Sequence, residues 1–183
     1  MIKNNIKKFI FYFLIISIVF VLDRVSKIYV INYFENTVET EIYLSNFLNI
    51  ILVWNEGIGF GLLSFQDGSI YNFITLIIIL INLIIIYFIY KYKDIRSFLL
   101  TLVLGGSLGN LFDRIAFSAV PDFIDFNYNN FHWFIFNIAD IFITIGVICL
   151  IFVELILNNK KLKNENEKKN YYILFMSSVF IFM

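Results

Sequence analysis

Asp122 and Asp140 are the residues through which this chain could do chemistry. Asp140 stands in FNIADIFITIG, inside an apolar stretch that reads as a membrane-spanning helix from Trp133 to Leu157. Asp122 lies upstream, in VPDFIDF. A carboxylate at membrane depth costs roughly 2.5–3.5 kcal/mol even on the mildest insertion scale, so packing does not account for it. Two carboxylates brought close cannot both ionise easily, and one takes up a raised pKa. One is then an acid and the other a base at neutral pH, and a water held between them can attack an amide carbonyl. The chain has one His and one Cys. A zinc site would rest almost wholly on carboxylates, which is a poor zinc ligand set.

Other polar residues accompany the pair. Asn110, Asp113 and Arg114 stand at i, i+3 and i+4, neighbours on one side of a helix. Asn137, Asp140 and Thr144 repeat that spacing. The spacing predicts that Asn110 and Asn137 hydrogen-bond between helices and hold the site rather than react. Asp113 with Arg114 reads equally as a structural ion pair or a functional one. Asp23 with Lys27, at i and i+4, reads as an ion pair at a helix end that could also orient the site. Ser26 next to Lys27 suggests a Ser–Lys dyad, but adjacent helical residues do not face each other. NEGIGFG lacks the Lys-Ser/Thr of a phosphate loop and reads as a turn that lets backbone approach a ligand. Pro121 restricts the backbone just before Asp122. His132 reads as a loop or interface residue, and Cys149 as packing.

These residues need elements to carry them, and composition says which. The 183 residues are 60% hydrophobic, with mean hydropathy +0.82. A soluble domain is about 45–50% apolar, so this is a membrane protein. Four segments can cross about 30 Å of hydrocarbon: 9–29, 71–90, 97–117 and 133–157. The first leads into Asp23, Arg24 and Lys27 rather than a small-residue cleavage site, so it is expected to stay as a helix. Lys and Arg cluster before the first span, between the second and third, and after the fourth, and are missing between Lys27 and Lys91. The positive-inside rule then puts both termini in the cytoplasm and both long loops outside. Helical rise carries the polar residues of the first, third and fourth spans to one level, in the outer third of the bilayer. The outside loop 31–69 is rich in β-branched and aromatic residues, with a turn signal at Asn55-Glu56-Gly57, and predicts a short antiparallel sheet. One domain is expected over residues 1–157, followed by a polar and then apolar tail, 158–183, with no assigned role. The zero formal net charge gives no reason to expect nucleic-acid binding.

Five blocks in order carry a resemblance: DRVSK, NEGIGFG, GGSLGNLFDR, VPDFIDF and FNIADIFITIG. With them the chain resembles the lipoprotein signal peptidases, or signal peptidase II. The resemblance implies an all-α membrane protein of four transmembrane helices with a small extracytoplasmic β-rich cradle, in the bacterial cytoplasmic (inner) membrane. It implies an aspartyl endopeptidase that cuts the signal peptide from a diacylglyceryl-modified prolipoprotein, before the lipidated cysteine. Its partners would be lipidated prolipoproteins and membrane lipids, with no metal or organic cofactor and the oligomeric state left open. Asp122 and Asp140 match the catalytic pair. Asn55, Asn110, Asp113, Arg114 and Asn137 match residues lining the site, and Asp23 and Lys27 a supporting pair. Gly59, Gly61, Ser107 and Pro121 depart from the family's usual residues, conservatively in size.

Overall fold

The computed structural model describes residues 2–58, 62–64, 68–128 and 131–161. In chain order the elements are α1 (Ile2–Glu35), β1 (Glu41–Ser45), β2 (Leu48–Asn55), β3 (Gly57–Ile58), β4 (Leu62–Ser64), α2 (Gly68–Lys91), α3 (Ile95–Phe117), β5 (Val120–Tyr128), β6 (Phe131–Phe136) and α4 (Ile138–Lys161). Four helices among the described residues are long and apolar enough to cross a membrane.

α3 is the centre of the bundle and packs against α1, α2 and α4. It is also the least apolar of the four, with mean hydropathy 1.4 against 2.1–2.8 for the others, and the most enclosed. In a bilayer a polar face turns inward, because lipid cannot hydrogen-bond it. α3 buries Ser97, Thr101, Ser107, Asn110, Asp113 and Arg114. Its small residues let neighbours come close. A Cβ on Gly106 would lie 2.5 Å from the Ala139 carbonyl oxygen of α4, and one on Gly109 2.5 Å from Asp23 Oδ2 of α1. The outer faces of α1, α2 and α4 present Phe, Leu and Ile to the surroundings, as lipid-facing surfaces do.

The sheet forms the other layer. Its order is β1-β2-β5-β6, all neighbours antiparallel, and β3 with β4 makes a separate two-stranded ribbon. β2 bulges between Ile50 and Val53, so that Val53 faces Asp122 across the ladder.

Three boundaries differ from the sequence reading. α1 begins at Ile2 and runs on to Glu35, into what reads as loop. The fourth span does not begin at Trp133: residues 131–136 are strand β6, and α4 starts at Ile138. An apolar run of that kind fits either element, and pairing with β5 decides for the strand. Asp122 lies in a strand, β5, rather than a short loop. The tail from 162 onward, and Gly59 and Gly61, lie outside the described residues.

Candidate active site

Asp122 comes from β5 and Asp140 from the first turn of α4, and Asn137, between β6 and α4, touches both. Asn137 Nδ2 donates to Asp122 Oδ1 at 2.6 Å. Its backbone N–H donates to Asp140 Oδ2 at 3.1 Å, and its Oδ1 accepts from Asp140 N at 3.1 Å. That reciprocal pair is a capping box, with Asn at the N-cap and an acid three residues on. The sequence FNIAD therefore starts α4 and fixes Asp140 in one motif.

The two remaining carboxylate oxygens are also met. Asn55 Nδ2 donates to Asp122 Oδ2 at 2.9 Å, and Asn110 Nδ2 donates to Asp140 Oδ1 at 2.9 Å. Each of the four oxygens thus accepts one N–H. The amides cannot be turned round. Asn55 Oδ1 accepts from Gly57 N at 2.9 Å, and Asn137 Oδ1 from Asp140 N, so their Nδ2 groups must face Asp122. Each carboxylate oxygen keeps a second lone pair for a proton or a water.

The two environments differ. Burial, and then the neighbouring charge of Asp140, push Asp122 up to about 7. Asp140 sits at a helix N-terminus, where unpaired N–H groups favour negative charge. Asp122 can therefore hold a proton near neutral pH, beside a second carboxylate set in a helix cap.

Behind Asp140 lies a buried charge cluster. Lys27 Nζ donates to Asp23 Oδ2 (2.9 Å), Asn110 Oδ1 (2.8 Å) and Asp113 Oδ2 (2.7 Å), and the side chain has no exposure. All three ammonium hydrogens are engaged, so Lys27 has no lone pair to act as a base. Ser26 Oγ donates instead to the Asp23 carbonyl, at 2.8 Å. The Ser–Lys dyad is absent from the geometry. Arg24 Nη2 reaches Asp113 Oδ2 at 2.6 Å and Asp23 Oδ2 at 2.9 Å, and Nη1 bonds Asp113 Oδ1. Asp23 Oδ1 accepts from Ala139 N at 3.0 Å, in the first turn of α4.

The expected Asp113–Arg114 pair is corrected. Successive helical residues diverge around the axis, and α1 supplies Asp113 with Arg24 and Lys27. Arg114 turns the other way. Its Nη2 donates to the Gly57 carbonyl at 2.7 Å, and its guanidinium lies 5.5 Å from the Tyr71 ring centre. It braces the turn that carries Asn55.

Two features were not read from the sequence. Arg24 belongs to the cluster, and its place directly after Asp23 was the available signal. Asp125 is fully buried, and its Oδ2 binds Asn127 Nδ2 at 2.9 Å and lies 2.8 Å from His132 Nδ1. It ties β5 to β6 three residues from Asp122. Among the described residues no group of three or more His, Cys, Asp or Glu side chains could hold a metal ion.

One hollow opens on Asp122, and a second runs past residues adjacent to the dyad in sequence. A cleft of about 310 Å³ is lined by Trp54, Asn55, Gly57, Asp122, Trp133 and Phe134 among others. A larger crevice of about 800 Å³ is almost wholly apolar and runs along Leu22, Val25, Tyr29, Phe123, Ile138 and Phe142.

The sequence profile described as Signal peptidase (SPase) II matches residues 15–156, from within α1 to near the end of α4. The chain belongs to the signal peptidase II family. Among its relatives, the lipoprotein signal peptidase of Pelagibacter ubique (strain HTCC1062) is 49% identical over 164 residues, 90% of this chain and 99% of that one. That of Rickettsia africae (strain ESF-5) is 39% identical over 163 residues, 86% of this chain and 78% of the other. A solved bacterial membrane enzyme superposes with a TM-score of 0.67 at 35% identity, covering 86% of this chain and 93% of that one. A second gives 0.60 at 34%, covering 79% and 91%. As a signal peptidase II the chain is a multi-pass bacterial membrane hydrolase, with Asp122, Asp140 and the three asparagines all inside the matched span.

Proposed function

We propose that the chain removes the signal peptide from diacylglyceryl-modified prolipoproteins, cutting before the lipidated cysteine, with Asp122 and Asp140 as the catalytic pair. The carrying observation is Asn137, which binds both carboxylates at once. Family membership supports the substrate class: the relatives are lipoprotein signal peptidases.

In these steps Asp122 starts as the acid and Asp140 as the base. Asp140 takes a proton from a water held between the carboxylates. The oxygen attacks the scissile carbonyl carbon while Asp122 gives its proton to the carbonyl oxygen. The tetrahedral intermediate collapses when the proton now on Asp140 passes to the cysteine nitrogen and the C–N bond breaks. The hydroxyl proton returns to Asp122 as the new carboxyl carbonyl forms. The fixed amides keep both carboxylates placed throughout, so little reorganisation accompanies the charge movement.

The two hollows divide a lipidated peptide in a natural way. The extended peptide fits the cleft beside Asp122. The acyl chains fit the apolar crevice between α1 and α4, where only hydrocarbon is solvated well. The orientation that agrees with the Lys and Arg distribution puts both termini in the cytoplasm and the dyad near the outer leaflet.

The test is purified protein in detergent with a synthetic lipidated prolipoprotein, watched for release of the signal peptide. Asp122→Asn and Asp140→Asn are each expected to release none while still inserting. An amide can neither take a proton from water nor give one at neutral pH. Retention of more than about a few per cent of the wild-type rate in either variant, roughly 2 kcal/mol of barrier, removes the dyad assignment.

A further inference from the structure

The geometry points to Lys27 as a positioning residue for Asp140, acting through the side-chain amide of Asn110. This rests on the catalytic reading of Asp140 and adds what holds it in place.

Of the three amides around the dyad, two are locked by a backbone N–H: Asn55 by Gly57 and Asn137 by Asp140. Asn110 has a different lock. Its Oδ1 faces Lys27 Nζ at 2.8 Å and its Nδ2 faces Asp140 Oδ1 at 2.9 Å. An ammonium group only donates. Asn110 must therefore turn its oxygen to Lys27 and its N–H to Asp140. Without that ammonium the amide keeps its bond to Asp140 but loses the anchor at its other end, and can swing away with the carboxylate.

Lys27 is itself held still. Asp23 and Asp113 take its other two hydrogens, and Arg24 grips both acids. Two acids and two bases leave the cluster formally neutral, which limits the cost of burying it. The same cluster grips α4 a second time, through Asp23 Oδ1 on Ala139 N. One neutral four-residue unit on α1 and α3 thus fixes the helical turn that carries Asp140, by its backbone, and the Asp140 carboxylate, through Asn110.

A role limited to gluing α1 to α3 would predict something else, and a double-mutant cycle separates the two. Lys27→Met combined with Asp113→Asn removes one charge of each sign and leaves Arg24 on Asp23. With a lipidated prolipoprotein peptide in detergent, this paired change is expected to lower kcat about 10- to 50-fold, with KM within about 2-fold. In an Asn110→Ala background the same paired change is expected to lower kcat no further, because its route to Asp140 is already cut. Multiplying losses, or a loss carried by KM, would overturn the proposal. So would a paired variant that fails to fold, since the fold would then need Lys27 for more than Asn110. Wild-type protein and Asp140→Asn run alongside. If wild-type does not cleave, or Asp140→Asn does, the catalytic reading fails instead, and the two failures stay distinct.

Discussion

Asn137 does three things that Asn110 does not: it caps α4, fixes Asp140 through its backbone and binds Asp122. Losing a bond to a buried polar group costs about 1–3 kcal/mol, and losing an N-cap typically about 1 more. Asn110→Ala is expected to cleave about 10- to 100-fold more slowly, and Asn137→Ala more than about 100-fold, with a lower Tm. Matched-expression rates and melting curves check both, and equal effects would mean that the cap contributes nothing. Asp122 also carries a stability signature. Its native pKa, about 7, lies above the ordinary 3.8. Between those values the folded protein holds a proton that the unfolded chain has released. This contribution is therefore fully present below about pH 4 and is lost as pH rises to about 7. Asp122→Asn is expected to flatten the fall in Tm over that window, and an unchanged slope would contradict the burial argument. The aspartates were legible because a carboxylate in an apolar run stands out locally. The partners of Asp113 were not, because Arg24 and Lys27 lie on another helix, and i, i+1 spacing offered Arg114 as a nearer candidate.

The contact between α3 and the start of α4 depends on the absence of a side chain. A Cβ at Gly106 would meet the backbone oxygen of Ala139, which has no rotamer to yield with. Gly106→Ala is expected to destabilise by roughly 1–3 kcal/mol and to slow cleavage by moving the turn that carries Asp140. A thermal melt and a rate measurement suffice, and wild-type values in both would mean that the helices shift apart freely. Hydropathy gave the middles of the helices well, since each span must outlast the bilayer. It could not place the end of β6 against the start of α4. FHWFIF is apolar under either reading, and only its ladder with β5, a contact with a separate strand, makes it extended. Asn137 marks the change. Its neighbour three residues on, Asp140, was read for chemistry and not as the other half of a helix cap.

At the scale of the whole molecule the proposal concerns sides. If the Lys and Arg clusters lie in the cytoplasm, the sheet and the dyad face outward. In a Cys149→Ser background, Ser45→Cys is expected to react with a membrane-impermeant thiol reagent in intact cells, and Asn158→Cys is not. The reverse pattern would invert the topology. Overall architecture was accessible from the sequence because composition restricts a chain of this kind to spanning helices with short elements between them. The four-stranded order was not, since it joins residues near 50 to residues near 125.

The buried charge cluster has a consequence for how the protein is made. α1 is made with Asp23, Arg24 and Lys27 in its C-terminal half, one positive charge in excess. The acid that balances it, Asp113, is synthesised about 90 residues later, roughly 5–20 s at typical elongation rates. Until α3 is made, no acid balances that charge, and burying it unpaired at membrane depth is costly. The last helix then completes the unit, because the carboxylate of Asp23 receives the N–H of Ala139. The charge of α1 is thus balanced only by a residue of α3, and Asp140 and its cap come only with α4.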